Sequence, residues 1–305
     1  MTDATNATTP TPAEAPSEGA KPVTRRRFLR SALRLGALGL VGGVYTMGIE
    51  PGWIEFSQVE VAMPRLHPAF DGYRIVQFSD IHFDSWMTEA RLGGIVAAIN
   101  QLKADAIVIT GDFVSIDSGP VAPALVRSLS HLSAPDGVFG IPGNHDHWHG
   151  LPALLKAIRG AGVRDLRNAS ATITRGDATL HLAGVDDPWV GTPKLKDVTD
   201  ALPADGAAIM LAHAPDFADE VAPLGRYDLQ LSGHSHGGQV RLLGWAPVLP
   251  PFGKRYPSGR YDVNGMTLYT NRGVGTIPAA RVLRVRFMCW PEITTFTLRV
   301  RAPRP

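Results

Sequence analysis

The sequence predicts an α/β fold in which two mixed β-sheets pack face to face and are flanked by helices. Strand-like and helix-like segments alternate in the first half of the chain, a pattern typical of βαβ units built around a parallel sheet. The second half holds short strand candidates with few helices, which indicates a second sheet packed on the first. Hydrophobic residues make up 44% of the 305 residues, so the chain can bury the core that such a fold needs.

Composition excludes several classes of protein. The chain carries 30 Lys and Arg residues against 28 Asp and Glu residues, so it is neither an acidic tail nor a polycationic nucleic-acid binder, and it has no nucleic-acid-binding signature. Its one cysteine, Cys289, cannot form an internal disulfide, a cysteine-rich zinc module, an iron–sulfur cluster or a haem attachment site. Any metal chemistry must therefore use histidines and carboxylates.

The N-terminal part of the chain differs from the rest. Residues 1–23 contain mainly small and polar side chains, which predicts a disordered N-terminus. Residues 24–30 read TRRRFLR and precede an uncharged, mostly apolar run over residues 35–49. This arrangement resembles a twin-arginine export signal in which only the final basic residue differs, Arg30 standing in place of lysine. The segment 24–50 is therefore interpreted as an export signal, with a basic tail before a short surface helix as the alternative.

The length of the apolar run leaves the fate of this segment open. Its 15 residues are too few for a membrane-spanning helix, which needs roughly 20, and no clear Ala-x-Ala cleavage site follows. Both a released protein and one tethered by an uncleaved N-terminal anchor are consistent with the sequence. We expect the twin-arginine translocase as a partner during export, a location in the periplasm or cell envelope, and membrane association as one alternative.

The folded part is predicted to be a single domain over residues 51–305, and its first half alternates between strands and helices. In the segment 88–102, apolar side chains recur at three- and four-residue steps, the periodicity of a helix with one buried face. The predicted elements of this half are, in order, strands at 59–63 and 73–78, a helix at 88–102, a strand at 106–110, a helix at 122–131, a strand at 138–141 and a helix at 151–161.

The second half is predicted to consist mainly of strands. They follow one another with few helices between them, and the chain contains no internal repeat of fixed period. The predicted strands lie at 171–174, 179–183, 207–211, 228–231, 240–243, 267–270, 281–286 and 293–300.

Polar clusters follow five of the predicted strands, each just past the strand's C-terminal end. Ligands bind at this edge in open α/β sheets, because the loops converge there while the strands stay rigid. Histidines and carboxylates that meet at such an edge favour zinc, manganese or iron. Neighbouring glycines let the backbone turn sharply and approach a ligand closely. The clusters contain, in order, Asp80 and His82, then Asp112, then Asn144 with His145 and Asp146, then His213, and finally His234 and His236.

Each cluster alone is weak evidence, because a lone histidine or a Gly-Asp pair is common, but together they are strong. The succession Asp-x-His, Gly-Asp, Gly-Asn-His-Asp, His and Gly-His-x-His resembles the calcineurin-like metallophosphoesterases over residues 73–297. The motif GHSHGGQ at 233–239, with the segments 271–273 and 291–294, is similar to the exported YkuE/YaeI-like phosphodiesterase branch of that superfamily. One departure is Ser235 where threonine is usual, and it keeps the hydroxyl group.

The resemblance implies a four-layer α/β/β/α sandwich with a site for two divalent metal ions, of manganese, iron or zinc. In that site one ion would be held by Asp80, His82, Asp112 and His236, and the other by Asp112, Asn144, His213 and His234. Asp112 would bridge the pair, because a shared carboxylate offsets the repulsion between two cations roughly 3.5 to 4 Å apart. His145 is the implied catalytic residue, which would bind the phosphoryl oxygen or protonate the leaving group. Asp146 would either orient His145 or cap a turn or helix.

The implied activity is hydrolysis of phosphoric esters, as a phosphodiesterase or phosphatase, by a hydroxide that bridges the two metals, outside the cytoplasmic membrane. The implied substrate is a phosphate ester, with a lipid or cell-envelope ester as one alternative. A second enzymatic interpretation is pyrophosphate hydrolysis in a lipid-linked or nucleotide-sugar diphosphate such as UDP-2,3-diacylglucosamine. A metal-binding protein without turnover is the alternative from another class, and the complete ligand set together with His145 argues against it.

Two further patterns have competing interpretations. The motif at 233–237 also spells Gly-x-Ser-x-Gly, but no histidine follows His236, so the order of a serine-hydrolase triad is not met. Arg281, Arg284 and Arg286 alternate on a predicted strand. They form either a basic rim for an anionic substrate or, as such residues more often do, a solvated face.

The segments next to the polar clusters also allow two interpretations. The apolar loop 244–259 is either a substrate wall or a proline-rich connector between strands. If the loop carried Lys254 and Arg255 over the metals, it would suit a diester or a lipid-linked phosphate. His147 and His149 extend the third cluster, and we interpret them as polar loop residues, with a place in the cleft as the alternative.

Overall fold

The structure is a computed structural model that describes residues 24–278 and 283–301. The chain divides into two compact units, the first comprising residues 1–42 and the second residues 43–305. The segment 1–23, which is predicted to be disordered, lies outside the described residues.

A long helix begins at the basic residues of the predicted export signal. It is α1 (Arg25–Val44), which continues into a π-helical turn at Tyr45–Ile49 and a 3-10 turn at Glu50–Gly52. The whole helical stretch Arg25–Gly52 has 28 residues and is long and apolar enough to cross a membrane, judged by length and composition. A signal sequence near the N-terminus has the same properties, so the stretch is suited to either role.

Short helices and strands follow α1, and they alternate mainly in the first half of the chain. Among the described residues they are, in chain order, β1 (Glu55–Met63), β2 (Arg74–Phe78), α2 (Glu89–Gln101), β3 (Ala106–Ile109), α3 (Ser118–Leu129), β4 (Val138–Gly140), α4 (Asn144–Trp148), α5 (Leu151–Gly160), β5 (Val163–Asp165), β6 (Ala169–Arg175), β7 (Ala178–Gly184), α6 (Leu195–Asp200), β8 (Ala207–Leu211), α7 (Ala218–Val221), β9 (Leu229–Ser232), β10 (Gly259–Val263), β11 (Met266–Thr270) and β12 (Glu292–Val300).

The strands form two six-stranded sheets, in the orders β1-β12-β2-β3-β4-β5 and β10-β11-β9-β8-β7-β6. In the first sheet β2, β3, β4 and β5 run parallel, as the alternation of strands and helices predicts. In the second sheet β7, β8, β9 and β11 run parallel, while β6 and β10 are antiparallel edge strands. In the first sheet β12 is antiparallel to β2. Both sheets are therefore mixed, as predicted.

The two sheets share a central apolar core and are each covered by helices on the outer face. Val108 of β3 and Leu229 of β9 belong to the same buried cluster between the sheets. Alternate residues of β2 point to opposite sides, so Ile75 joins this central cluster while Val76 packs with α2, α3 and α5. Helices α6 and α7 pack on the outer face of the second sheet. The four-layer α/β/β/α arrangement is thus confirmed, and burial on both faces explains why the strands are apolar throughout.

Two predicted strands do not form within the described ranges. Residues 240–243 make only isolated bridges, from Val240 to Phe287 and from Leu242 to Trp245. Residues 283–286 also form no strand, and 281–282 lie outside the described residues. The apolar side chains of Leu242 and its neighbour are exposed, so the apolar pattern that predicted a strand at 240–243 does not serve the core.

The last strand also differs from expectation. We expected it in the second sheet, but β12 lies in the first, parallel to β1 and antiparallel to β2. Its pairing partners are more than 200 residues away, and a local residue pattern does not specify them. The elements α4, β5, α6, α7 and β10 were not predicted, because each has only three to six residues, too few to show a periodicity.

Candidate metal centre

Loops at the C-terminal ends of five strands bring the seven predicted ligands together. The side chains are each at most 4% exposed. Since parallel strands of one sheet end at the same edge, residues far apart in the sequence converge there. The loop after β2 carries Asp80 and His82, the loop after β3 carries Asp112, the start of α4 carries Asn144, the loop after β8 carries His213, and the loop after β9 carries His234 and His236.

Five of these seven residues adopt a backbone conformation that L-amino acids usually avoid. The φ angles are 52° at Asp80, 50° at His82, 53° at Asp112, 71° at His234 and 50° at His236. A non-glycine residue in this left-handed region costs on the order of 1–3 kcal/mol. Strain concentrated on one cluster indicates that the fold holds these side chains in place for a function.

Two glycines allow the loops to approach one another. A Cβ atom added at Gly111, whose φ is 97°, would lie 2.5 Å from His213 Nδ1. A Cβ atom added at Gly143 would lie 2.7 Å from both the backbone nitrogen of Asp112 and Cδ2 of His213. Any larger residue at either position would therefore displace a candidate ligand.

The first group of candidate ligands consists of Asp80, His82 and His236, whose ligand atoms lie within 4.8 Å of one another. His82 Nε2 lies 2.9 Å from His236 Nε2, and His236 Nε2 lies 3.3 Å from Asp80 Oδ1. Asp112 Oδ2 approaches the same group, at 3.5 Å from His82 Nε2. The structure thus brings together the four residues that the resemblance assigns to one ion.

The second group consists of Asp112, His213 and His234, also within 4.8 Å of one another. Asp112 Oδ2 lies 3.2 Å from His213 Nε2, and the rings of His213 and His234 are 5.0 Å apart between centroids. Asn144 is buried at the start of α4, where the backbone of His145 donates to Asp112 Oδ1 at 2.9 Å. Asp112 therefore stands between both groups, where a bridging ligand is required.

Hydrogen bonds to the outer ring nitrogens show which histidine atoms face the cluster. His213 Nδ1 lies 2.6 Å from the carbonyl oxygen of Thr110, and His234 Nε2 lies 2.7 Å from that of Pro251. Because a carbonyl oxygen only accepts, each of these nitrogens carries the proton and donates it. Nε2 of His213 and Nδ1 of His234 are therefore the ring nitrogens that remain to bind a metal.

Three buried acceptor atoms in this region have no hydrogen-bond partner within the described residues, namely Asp112 Oδ2, Asn144 Oδ1 and His213 Nε2. Two of them, on Asp112 and His213, face each other across 3.2 Å. Two acceptor atoms at that distance repel unless a proton or a cation lies between them, and an unsatisfied buried polar group costs roughly 1–3 kcal/mol. A cation that both atoms bind would remove these costs, so the donor set fits a divalent metal.

The electrostatics of the cluster also favour a cation. Burial raises the pKa of Asp80 to about 7. Burial disfavours the charged form of His213, yet the Asp112 carboxylate raises the pKa of His213 well above its ordinary value. Burial lowers the pKa of His234 to about 4, so this ring is neutral at pH 7, as a ligand must be. A buried carboxylate such as Asp112, which raises the pKa of the neighbouring His213, is stabilised by positive charge. A bound cation would supply that charge.

His145 lies at the edge of the cluster. Its ring packs 4.7 Å from that of His82 and 4.9 Å from that of Trp148, measured between centroids. Burial lowers the pKa of His145, so the ring is neutral at pH 7. A neutral imidazole beside the candidate ligands is suited to exchange a proton with a bound substrate.

Asp146 has a structural role. One carboxylate oxygen accepts hydrogen bonds from the backbone nitrogens of Phe113 and Val114, at 2.8 and 3.2 Å. The other accepts from the backbone nitrogen of Gly143 at 2.9 Å. Asp146 thus caps α4 and ties the loop after β4 to the loop after β3. The cap interpretation is confirmed, and among the described residues no hydrogen bond joins the carboxylate to the His145 ring.

Residues 73–238 match the family model described as calcineurin-like phosphoesterase. The chain belongs to this family. The matched range includes all seven candidate ligands and His145, and the resemblance inferred from the motifs is confirmed. The protein is accordingly a metallophosphoesterase, and the family uses two divalent metals.

Three similar proteins span much of this phosphoesterase. The uncharacterized metallophosphoesterase YkuE of Bacillus subtilis (strain 168) is 37% identical over 287 residues, which cover 92% of this chain and 99% of that protein. The phosphodiesterase YaeI of Escherichia coli (strain K12) is 31% identical over 281 residues, covering 90% and 99%. A transmembrane protein with metallophosphoesterase domain from Danio rerio is 31% identical over 259 residues, covering 79% and 56%.

A cavity of about 240 Å³ opens beside His234 and His236 of the phosphoesterase. Residues 248–250 line it with apolar side chains, so part of the loop 244–259 forms a wall next to the centre. The guanidinium of Arg255, in the same loop, pairs with Asp219 of α7 at 2.7 Å.

Two tryptophans, which no sequence motif indicated, flank the centre. The Trp189 ring lies 5.8 Å from that of His234 and 5.2 Å from that of Trp148. With the contact between Trp148 and His145, they form an aromatic line across the site. Asp187 holds Trp189 in place by accepting a hydrogen bond from its backbone nitrogen at 3.0 Å. Trp189 lies in an irregular loop far from the motifs, so no sequence signal indicated it.

The prediction that the arginines of segment 281–286 form a basic rim or a solvated face is wrong for the two that the structure describes. Neither described member forms a solvated face or a rim. Arg284 pairs with Asp84, and Arg286 is fully buried, with its guanidinium 3.4 Å from His236 Nδ1. The sequence suggested exposure because the residues alternate, but the described residues 283–286 form no strand. The guanidinium of Arg286 instead donates to backbone carbonyls of Arg272, Gly275 and Cys289.

Two polar partners of the site histidines were also not predicted. Ser115 Oγ lies 2.7 Å from His82 Nδ1, which orients that ring. Asp186 Oδ1 lies 2.8 Å from His147 Nε2, so His147 ties α4 to the loop after β7. His149 ends α4.

Proposed function

We propose that the protein hydrolyses phosphoric esters, as a phosphodiesterase or phosphatase, with two divalent ions of manganese, iron or zinc. The facing acceptor atoms of Asp112 and His213, both buried and without a partner in the described part of the chain, carry this proposal. The residues that would hold one ion are Asp80, His82, Asp112 and His236, and those that would hold the other are Asp112, Asn144, His213 and His234.

Two divalent ions, when bound, supply a nucleophile by lowering the pKa of water from about 15.7 towards 7, and they polarise the phosphoryl oxygens. The chain's own residues do the rest. Asp112 contributes the shared negative charge that offsets the repulsion between the cations. Asn144 contributes a neutral oxygen, which keeps the centre positive enough to attract a phosphate anion.

His145 is the proposed catalytic residue. Its ring lies beside His82, and its backbone nitrogen is held by Asp112, so its position is linked to the centre. It would hydrogen-bond a phosphoryl oxygen or donate a proton to the leaving group. The rings of Trp148 and Trp189 cover one side of the site, where they would limit water and contact the leaving group.

The second candidate function is hydrolysis of a pyrophosphate bond in a lipid-linked or nucleotide-sugar diphosphate such as UDP-2,3-diacylglucosamine. The apolar side chains of residues 248–250 at the cavity favour it, because they suit a substrate with an apolar part. The same ligands and His145 would serve this reaction.

We also propose that the protein acts outside the cytoplasmic membrane, after export through the twin-arginine translocase. The residues 24–30 at the start of α1 and the apolar stretch Arg25–Gly52 support this proposal. Replacing both Arg25 and Arg26 by lysine should keep the protein in the cytoplasm, as measured by cell fractionation. The matched control replaces Arg30 and Arg34 by lysine. Normal export of the first variant would contradict the proposal.

The proposed function is tested by metal analysis of the purified protein together with a substrate panel. We expect about two divalent ions per chain and hydrolysis of bis(p-nitrophenyl) phosphate, p-nitrophenyl phosphate or a nucleotide sugar. The panel distinguishes a diesterase, a monoesterase and a pyrophosphate hydrolase. A protein that binds the metals and hydrolyses none of these esters would be a binding protein, and the proposal would be wrong.

A further inference from the structure

We propose that a surface beside the metal centre docks on a lipid bilayer, and that the centre acts on a phosphoester whose apolar part stays in that bilayer. This surface, the docking face, consists of the segments 45–53, 242–248 and 283–290. The substrate class rests on the proposed hydrolytic function, whereas the docking itself is independent of it.

The segment 242–248 is apolar, uncharged and exposed. Its sequence is LLGWAPV, and the exposed fractions are 98% at Leu243, 65% at Trp245 and 74% at Val248. Backbone hydrogen bonds of 2.8 and 3.0 Å between Leu242 and Trp245 hold the segment as a tight turn. Adjacent large apolar side chains on a surface mark a site of protein or membrane contact.

Hydrogen bonds connect the three segments of the docking face. The backbone nitrogen of Arg241 donates to the carbonyl of Phe287, and that of Phe287 donates to Gln239, each at 2.9 Å. The backbone nitrogen of Arg286 donates to the carbonyl of Thr46 at 3.0 Å. The segment 283–290 therefore joins 45–53 directly, and it joins 242–248 through the residues just before that segment.

Exposed apolar side chains continue across these segments. Trp53 is 64% exposed and Met288 is 57% exposed. Trp290 is also exposed, and its ring nitrogen donates to the hydroxyl of Tyr45 at 3.2 Å. Tryptophan and tyrosine, which have an apolar ring and a polar atom, concentrate at membrane–water interfaces. The composition of the docking face is thus that of an interfacial surface.

The N-terminal stretch identifies a bilayer as the occupant of this face. Arg25–Gly52 is long and apolar enough to cross a membrane, and its last residues, Tyr45–Gly52, belong to the docking face. Glu50 is fully buried and accepts a hydrogen bond from the backbone nitrogen of Cys289 at 2.6 Å, so the end of the stretch is part of the folded unit. A chain that leaves the bilayer near Tyr45 places the segments bonded to that region at the lipid surface.

The docking face adjoins the cavity of the centre. Val248 belongs to both, and residues 248–250 line the cavity beside His234 and His236. A phosphate headgroup that projects from the bilayer would therefore reach the centre while its apolar part remains in the lipid. A wholly water-soluble ester would gain nothing from this arrangement.

The first test measures contact with lipid in the full-length protein reconstituted in phosphatidylcholine vesicles. A fluorophore is attached to cysteine in Trp245→Cys, and the matched control is Leu224→Cys, an exposed position before the start of β9. The natural Cys289 is buried. Spin-labelled lipid should quench the label at 245 about fivefold more than the label at 224. Equal quenching at the two positions would overturn the docking face. If protection of the label at 245 increased with protein concentration, the face would bind a second copy of the chain. That result would also overturn the proposal of lipid docking.

The second test compares a lipid ester with a soluble one. The double variant Leu243→Asp with Trp245→Asp should hydrolyse the p-nitrophenyl phosphodiester of dipalmitoylglycerol in vesicles about tenfold more slowly. Its activity on bis(p-nitrophenyl) phosphate should be unchanged, and Leu224→Asp should affect neither ester. An equal loss on both esters, or no loss on the lipid ester, would overturn the proposal. If the unsubstituted protein hydrolyses neither ester, the proposal of a lipid ester as substrate is overturned. The full substrate panel then decides the proposed function, and the quenching result still decides the docking face.

Discussion

His145 is the site residue that the seven candidate ligands do not include, although it lies against one of them. Its ring contacts His82 and Trp148, and its side chain is less buried than those of the proposed ligands. The catalytic role of His145 can therefore be tested separately from metal binding, because its ring can be removed without removing a proposed ligand atom.

Replacing His145 by alanine should therefore lower turnover and spare metal binding. We expect kcat to fall by about 10²–10⁴-fold, the usual contribution of a positioned acid or base, with metal content near that of the unsubstituted protein. Steady-state kinetics on a phosphodiester and metal analysis of the same preparation measure the two quantities. His131→Ala, which removes an exposed histidine, is the control. An unchanged kcat in His145→Ala would remove the catalytic role.

Asp112 is the residue whose loss should affect both ions, because it stands between the two groups. Asp112→Asn keeps the shape and removes the shared charge, so metal content should fall well below one ion per chain. His213→Ala removes a ligand of one group only and should leave about one ion. Metal analysis after dialysis distinguishes the variants. Equal stoichiometry in the two would show that Asp112 does not bridge.

At the scale of elements, the loop between β4 and α4 depends on a glycine. Gly143 lies where a Cβ atom would meet Asp112 and His213, and its backbone nitrogen donates to Asp146. The loop therefore has to remain free of side-chain atoms at this point for the candidate ligands to converge.

The variant Gly143→Ala should lower the free energy of unfolding by about 1–3 kcal/mol through overpacking, and it should also lower metal content. Gly94→Ala is the matched control. This glycine lies inside α2 with open space around it, so alanine should raise the free energy of unfolding by up to about 1 kcal/mol. Urea denaturation measures the free energy of unfolding of both variants. A Gly143→Ala protein as stable as the unsubstituted one would show that the loop can shift without cost.

At the scale of the whole molecule, a buried network joins the two sheets. Glu292 on β12 of the first sheet accepts from the hydroxyl of Tyr269 on β11 of the second, at 2.6 Å. It also accepts from Nε of Arg272 at 3.0 Å, and Arg272 pairs with Glu55 of β1. Burial raises the pKa of Glu292, but Arg272 outweighs this and holds the pKa below its ordinary value.

This network should make stability depend on acidity. Because the folded pKa of Glu292 lies below the unfolded value of about 4.3, its charge stabilises the fold above that pH, and this contribution is lost as the pH falls through the folded pKa. Glu292→Gln should cost about 3–5 kcal/mol at neutral pH, since it leaves the charge of Arg272 without its main partner.

The difference in the free energy of unfolding between the Glu292→Gln variant and the unsubstituted protein should shrink on acidification to about pH 3. Urea denaturation at several pH values measures it. A constant difference across the range would show that ionisation of Glu292 does not contribute, and Glu60→Gln, at an exposed position of β1, provides the control.

The strands that carry the site could be predicted because each is a short apolar run followed by a polar motif. The loops after β2, β3, β4, β8 and β9 lie where the sequence indicated, since the carboxyl ends of parallel strands necessarily meet at one edge. The burial of Arg286 and the position of Trp189 could not be predicted, because they depend on backbone carbonyls and rings from distant parts of the chain.

By itself, the sequence determined the family and the α/β class and indicated the residues that we propose to bind metal, because these depend on local composition and on the order of motifs. Only the tertiary structure decided that β12 pairs within the first sheet, that Asp146 caps α4, and which nitrogen of His213 or His234 faces the cluster. Each of these depends on a hydrogen bond or strand pairing with a separate segment of the folded chain, and such contacts arise from packing in three dimensions rather than from neighbouring residues in the sequence.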